Sequence, residues 1–333
     1  MPRVRASRGL VFALIVAASI VVGAAFVLFA ALRDDSVSST SGGSPTELAK
    51  RPHLVFQNVT GQAGDAAYAK VGVASLDHPD RRSLTDLTCE RVYFAANQAI
   101  CLVPELGLYR SDYKIVITDG DFKTKFELPF AGIPSRARIS PDGRYGAATS
   151  FLAGHSYAAD SFSTRTVIID MARGVVIADL EKDFTITRAG KRIDDRDFNF
   201  WGVTFARRPG RFYATLRTGD KTYLLEGDVA SRRARVLHEN VECPSISPDG
   251  TRIAYKKSIS GAWELYVLEL KTMKETPVPG TRGIDDQVEW LDDGRILYGR
   301  DADLWSVRSD GSARPREYLS RALSPAVVRA PVQ

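Results

Sequence analysis

The chain has 333 residues, enough to bury a large core. With 44% hydrophobic residues, 26% charged residues and 42 Gly plus Pro, it is not disordered, collagenous or polytopic. The formal charge is +5, but Arg3, Arg5 and Arg8 precede the first acid, so the remainder carries only +2 with interleaved signs; this excludes a basic nucleic-acid surface.

In chain order, residues 1–9 form a basic N-region and residues 10–32 are 23 uncharged residues, LVFALIVAASIVVGAAFVLFAAL. A bilayer core of ~30 Å needs ~20 apolar residues, and signal-peptide apolar regions run to ~15. The run is therefore read as a transmembrane anchor, with cleavage after Ala30-Ala31 as the alternative. The arginines on its N-terminal side keep that end cytoplasmic and place the rest outside. Residues 33–52, rich in Ser, Thr, Gly and Pro, read as a flexible stalk.

From residue 53 the chain repeats. Ile139-Ser140-Pro141-Asp142-Gly143-Arg144 returns as Ile246-Ser247-Pro248-Asp249-Gly250-Thr251, with weaker copies at Phe205–Tyr213 and Trp290–Arg295. The motif glycines, 143, 210, 250 and 294, are 67, 40 and 44 residues apart. Two of these gaps match one four-stranded propeller blade of ~40–45 residues, and the long gap holds an insertion. Chemically the motif is a strand-to-strand turn: Pro presets φ, Asp bonds nearby backbone and Gly takes the left-handed conformation. Asp142 and Asp249 are therefore assigned to structure.

The expected strands, a to d from axis to rim, fall into six blades. Blade one takes 54–59, 68–76 and 81–87, and its inner strand comes from Ser324–Val328, so the C-terminus closes the ring and removes an exposed edge. Blade two takes 91–95, 99–105, 113–119 and 124–130; blade three 135–139, 144–151, 164–170 and 175–180. Blade four takes 201–205, 211–217, 221–226 and 233–238; blade five 244–246, 251–257, 263–270 and 274–278. Blade six takes 286–290, 295–299, 303–307 and 314–319. The expected fold is an all-β six-bladed β-propeller spanning 53–329, behind an N-terminal transmembrane helix.

S-P-D-G followed by an apolar strand, then strands such as WELYVLEL (263–270), resembles the TolB-type propeller repeat. The longer strings GIPSRARISPDGRYGA, GHSYAADSFSTRT, FNFWGVTFA and ENVECPSISPDGTRIAYKK resemble actinobacterial membrane-anchored TolB-like proteins. The resemblance implies a propeller over roughly 52–329 and brings no catalytic residues with it. It departs from TolB itself in having an anchor and no separate N-terminal domain.

Two insertions, 152–163 and 181–200, are expected to rise from one face beside blade three, where b–c and d–a loops gather. His155, Tyr157, Asp197, Asn199 and Trp201 come from or beside them. Arg136, Glu242, Asp285, Asp286 and Gln287 sit at inner-strand starts around the same mouth, and together these polar groups form the expected binding site. Gly154–Ala158 approaches the G-x-S-x-G elbow, but that elbow needs a strand–turn–helix context, so no nucleophile is assigned. The four histidines are scattered, with no zinc spacing. No cofactor is expected, although Asp285, Asp286 and Glu242 offer the oxygen ligands that Ca²⁺ takes. Cys89 and Cys101 flank the first hairpin of blade two; a disulfide between them and three buried thiols are both compatible with the register, and Cys243 is expected free. The Asn58-Val59-Thr60 sequon lies on a strand and is read as structural.

The functional expectation is a non-catalytic, membrane-tethered extracytoplasmic module that binds a protein or cell-envelope component. The alternatives are a lyase-, lactonase- or glycosidase-type propeller enzyme using acids at the channel mouth, and a sensor ectodomain.

Overall fold

A computed structural model describes residues 44–106, 111–154, 162–195 and 197–329. The chain divides into two units, Met1–Ser38 and Ser39–Gln333, and all described residues belong to the second. The expected anchor, 10–32, lies outside the described residues. Among those described, no helix is long and apolar enough to cross a membrane.

A five-residue helix, α1 (Pro45–Ala49), is capped by Ser44, whose Oγ accepts from Glu47 N at 3.2 Å. Blade one holds β1 (His53–Asn58), β2 (Lys70–Ser75) and β3 (Arg82–Thr88); blade two holds β4 (Arg91–Ala95), β5 (Gln98–Leu106), β6 (Ser111–Thr118) and β7 (Thr124–Phe130). Blade three holds β8 (Ile133–Ile139), β9 (Tyr145–Ala153), β10 (Ser163–Asp170) and β11 (Val175–Asp179), followed by the short helix α2 (Leu180–Asp183) and the hairpin β12 (Thr185–Arg188) and β13 (Lys191–Ile193). Blade four is β14 (Asn199–Phe205), β15 (Arg211–Thr218), β16 (Lys221–Asp228) and β17 (Arg233–Glu239). Blade five is β18 (Glu242–Ile246), β19 (Arg252–Ile259), β20 (Ala262–Glu269) and β21 (Glu275–Pro277). Blade six is β22 (Glu289–Asp292), β23 (Arg295–Arg300), β24 (Asp303–Arg308) and β25 (Arg316–Leu319), and β26 (Ala322–Val328) returns to blade one. Sheet order places β26 beside β1, with Leu54 opposite Val327 and Val55 opposite Ala326. The chain is thus a six-bladed propeller closed by its C-terminal strand.

Period-2 alternation gives β1 two buried faces. In β1, Val55 joins Val92 and Phe94 in the seam with blade two, whereas Leu54 and Phe56 join Leu297 and Leu304 in the seam with blade six. The other four seams are filled in the same way. In the S-P-D-G turns, Asp142 Oδ1 accepts from Ser140 Oγ at 2.5 Å and from Arg144 N at 3.1 Å, and Gly143 sits at φ +70°. The second copy repeats this with Ser247, Asp249 and Gly250. Partial burial works against the Asp249 carboxylate, but hydrogen bonds from Ser247 and Thr251 prevail and lower its pKa to about 2.

One expected loop is different. Much of the 181–200 insertion runs outward rather than standing at the mouth: β12 pairs in parallel with β17, Ile186 opposite Ala234, so that blade four gains two rim strands. The cause is apolar. Ile186 is buried in the seam between blades three and four, and Phe184 packs edge-on against Phe212 at 5.6 Å. Of the 152–163 insertion, residues 155–161 lie outside the described residues.

The same seam holds a half-buried acid. Glu181 accepts from Thr166 N at 2.8 Å, Thr164 Oγ1 at 3.0 Å and Phe200 N at 3.3 Å, joining the two blades. Burial raises its pKa to about 8 against the pull of these bonds, and Asp179 adds to the rise. A folded pKa above the unfolded one gives stability that is present below about pH 4.5 and lost as pH rises through about 8. Glu181→Gln is therefore expected to flatten the fall in unfolding free energy, taken from urea titrations between pH 5 and pH 8, by up to about 1.4 kcal/mol per pH unit. Identical slopes in the two proteins would contradict this.

Candidate functional site

The inner strands β26, β4, β8, β14, β18 and β22 all start at one face and end at the other, where the S-P-D-G turns lie. At the start face, polar residues tie the ring together. Arg136 donates to Asp285 O at 3.1 Å and to Ser135 O at 2.8 Å, and lies 3.4 Å from Asp286 Oδ1. Blades three and six are opposite, so this ion pair crosses the axis. Burial raises the pKa of Asp286, but the charges of Arg136 and Arg91 outweigh it, and the net shift is downward. Gln287 of blade six donates to Pro244 O at 2.7 Å and Gly202 O at 3.2 Å, reaching blades five and four. Lys256 is fully buried; its Nζ donates to Asp285 O at 2.6 Å and lies 3.8 Å from the centroid of the Trp263 ring. Trp263 Nε1 donates to Glu242 Oε1 at 2.9 Å, and burial raises the Glu242 pKa despite the Lys256 charge.

Arg136, Glu242, Asp285 and Asp286 thus gather at this mouth. The Asp285 side chain is 80% exposed and bonds chiefly through its backbone oxygen. The oxygens considered for Ca²⁺ face Arg136, Lys256 and Trp263, and among the described residues no three His, Cys, Asp or Glu side chains form a metal-binding group. The other described candidates are held in structural contacts. Asp197 accepts from Thr218 Oγ1 at 2.7 Å and Gly219 N at 2.6 Å, anchoring the β15–β16 turn; the Thr218 bond leads in lowering its pKa. Asn199 accepts from Thr164 N at 2.8 Å, pinning blade four to blade three. Trp201 is 1% exposed, clustered with Phe151, Phe162 and Cys243. His155 and Tyr157 lie outside the described residues. Cys89 and Cys101 are joined by a disulfide with Cα atoms 5.3 Å apart, and Cys243 is buried and free. Cys101 lies opposite Val92, so the bond runs diagonally from Cys89, two residues before β4 begins.

A cavity of about 220 Å³ opens at the ends of the inner strands, on the turn face. All six blades contribute, among them Tyr93, Arg138, Arg207, Glu289 and Arg329. Its floor is a second cross-axis pair: Arg138 lies 3.4 Å from Glu289 Oε2, donates to Val288 O at 2.8 Å and stacks 4.3 Å above the Tyr93 ring. Tyr93 OH donates to Glu289 Oε2 at 3.4 Å, and Arg329 lies 4.0 Å from Oε1. Burial raises the Glu289 pKa; Arg138 and Arg329 work against that rise. The lining carries three arginines and one acid, with Arg207 and Arg329 exposed. Sequence reasoning took inner-strand starts and missed this end. The available signal was Arg136-Ala137-Arg138: on a strand both side chains share one face, so a charge facing the axis at the start implies another two residues on.

No protein-family model and no curated protein matches the chain. Similar solved structures include TolB from Acinetobacter baumannii, with TM-score 0.58, 14% identity, 84% of this chain and 67% of that one covered. Another is a nidogen/laminin complex, with TM-score 0.54, 11% identity, 83% and 98% covered. A putative TolB from Agrobacterium tumefaciens aligns with TM-score 0.46 and 11% identity over 80% and 88%. At such identities the likeness is one of fold: the chain shares the β-propeller architecture of TolB.

Proposed function

We propose that the chain is a non-catalytic binding module, tethered to the membrane on its extracytoplasmic side, that engages an acidic segment of a protein or cell-envelope component in the turn-face cavity. The observation that carries this reading is the cavity itself, built by all six blades and carrying more arginine charge than Glu289 offsets. The 23-residue apolar run favours the tether, and the Cys89–Cys101 disulfide favours an oxidising compartment. The finer likeness to actinobacterial anchored TolB-like proteins agrees with both. The opposite mouth supports a second reading, an enzyme of lyase, lactonase or glycosidase type, through Glu242 with its raised pKa beside buried Lys256.

Arg207 and Arg329 are exposed, but Arg329 also faces Glu289 and donates to Trp290 O, so thermal melting of the variant accompanies its capture. Affinity capture of the full chain from its own membranes is expected to recover a partner. The double variant Arg207→Glu/Arg329→Glu should lose it by at least about tenfold, roughly 1.4 kcal/mol or more. Asp285→Lys at the other mouth should leave capture unchanged. Equal capture by the arginine double variant, with loss in Asp285→Lys, would move the site to the other mouth.

A further inference from the structure

Between the outer parts of blades five and six lies a separate cavity of about 400 Å³, lined by Pro279, Gly280, Arg300, Arg314 and Pro315 among others. Its lining contains two arginines and no acid. Arg300 lies at the end of β23, and its guanidinium stacks 3.6 Å from the centroid of the Trp305 ring. Its ion pair with Asp301 is long, 4.0 Å, and that carboxylate is 88% exposed. Trp305 pairs across the strands with Tyr298, two residues before Arg300, so all three side chains share one face of the β23–β24 hairpin.

Two of these neighbours are polar groups left unmatched. Tyr298 is fully buried, and neither its hydroxyl nor Trp305 Nε1 has a hydrogen-bond partner, although both atoms are buried. An indole N–H and a guanidinium can only donate, and a phenol can donate. Buried donors are ordinarily satisfied, and leaving them unmade is costly. Neither atom lies on the cavity wall, so the charge an acceptor would meet there is that of Arg300 and Arg314, which favours an acceptor carrying negative charge.

We propose that this cavity binds an oxyanion, held by Arg300 and Arg314. The group is either a phosphate or a carboxylate. The site is on the outer side of the ring and does not depend on the turn-face cavity.

The test follows the Trp305 indole N–H by NMR in the full chain, with Trp305→Phe to assign the signal. Inorganic phosphate and glucuronate are titrated separately, with sodium chloride at matched ionic strength as the control. A saturable shift with at least one oxyanion is expected, because the Trp305 ring lies under the Arg300 guanidinium, and it should be weakened at least tenfold in Arg300→Gln and in Arg314→Gln. Saturation by phosphate alone identifies a phosphate group, and saturation by glucuronate alone identifies a carboxylate. A shift that does not saturate, that chloride reproduces, or that persists undiminished in both arginine variants overturns the proposal. Arg314 is exposed, so its variant stays informative even if Arg300→Gln disturbs the fold.

Discussion

Removing residues 322–333 should leave the ring unable to close. The strand β26 pairs with β1 from His53–Val328 to Asn58–Ala322, and Ala322 and Ala326 are fully buried. Without it β1 becomes an open sheet edge, and the seams of blade one with blades two and six both lose apolar cover. Arg82 also loses its acceptor at Ser320 once the chain leading into β26 is released from the ring. The expected cost is several kcal/mol, a large share of the ~5–15 kcal/mol that holds a typical domain. Thermal melting of the truncated and full chains measures it. Because the truncated protein could fail to accumulate, Ala326→Asp provides a full-length counterpart, placing an unpaired carboxylate in a dry seam at a cost of roughly 2 kcal/mol or more. A truncated chain that melts with the full one, or an Ala326→Asp variant that melts like wild type, would show that the ring is not closed through this strand.

The second large effect separates two adjacent acids. Asp286→Ala removes the carboxylate that faces Arg136 across the axis and accepts from Gln287 N at 2.8 Å. It takes from Arg136, only 9% exposed at its side chain, the carboxylate 3.4 Å away, and breaking such a buried pair costs about 3–5 kcal/mol. Asp285→Ala should change stability by no more than about 0.5 kcal/mol, because the side chain is mostly in solvent and the acceptor used by Arg136 and Lys256 is the backbone oxygen. Melting temperatures of the two variants check the contrast. Equal losses would mean that the cross-axis pair contributes nothing special, and a larger loss from Asp285→Ala would mean that its side chain is structural.

Much of the fold is legible locally. In Ser140–Arg144 and Ser247–Thr251 the turn is written in five residues, because the Asp carboxylate bonds within that stretch. Strand positions follow from alternation, and the likeness of Ser324–Val328 to the start of blade five was enough to place the closing strand. The rim hairpin was not legible. Ile186 is apolar in a polar stretch, but its partner Ala234 is 48 residues downstream and the pairing is parallel, so nothing nearby announces it.

The candidate site divides in the same way. Sequence alone determined most inner-strand residues and that Arg136, Glu242, Asp285 and Asp286 lie near their starts at one face, although only Glu242 begins a strand, since β8 starts at Ile133 and β22 at Glu289. Only the closed ring decided what those groups meet: Arg136 finds Asp286 and Arg138 finds Glu289 across about 150 residues of chain, and these pairs plug the axis. It also decided that Asp197 and Asn199 are bound to Thr218 and Thr164, and that the arginine-lined cavity opens on the turn face. The physical reason is range. Turn chemistry and strand alternation act over two to five residues, whereas a charge at the axis is placed by all six blades at once, and its partner is whichever residue the closed geometry puts opposite it.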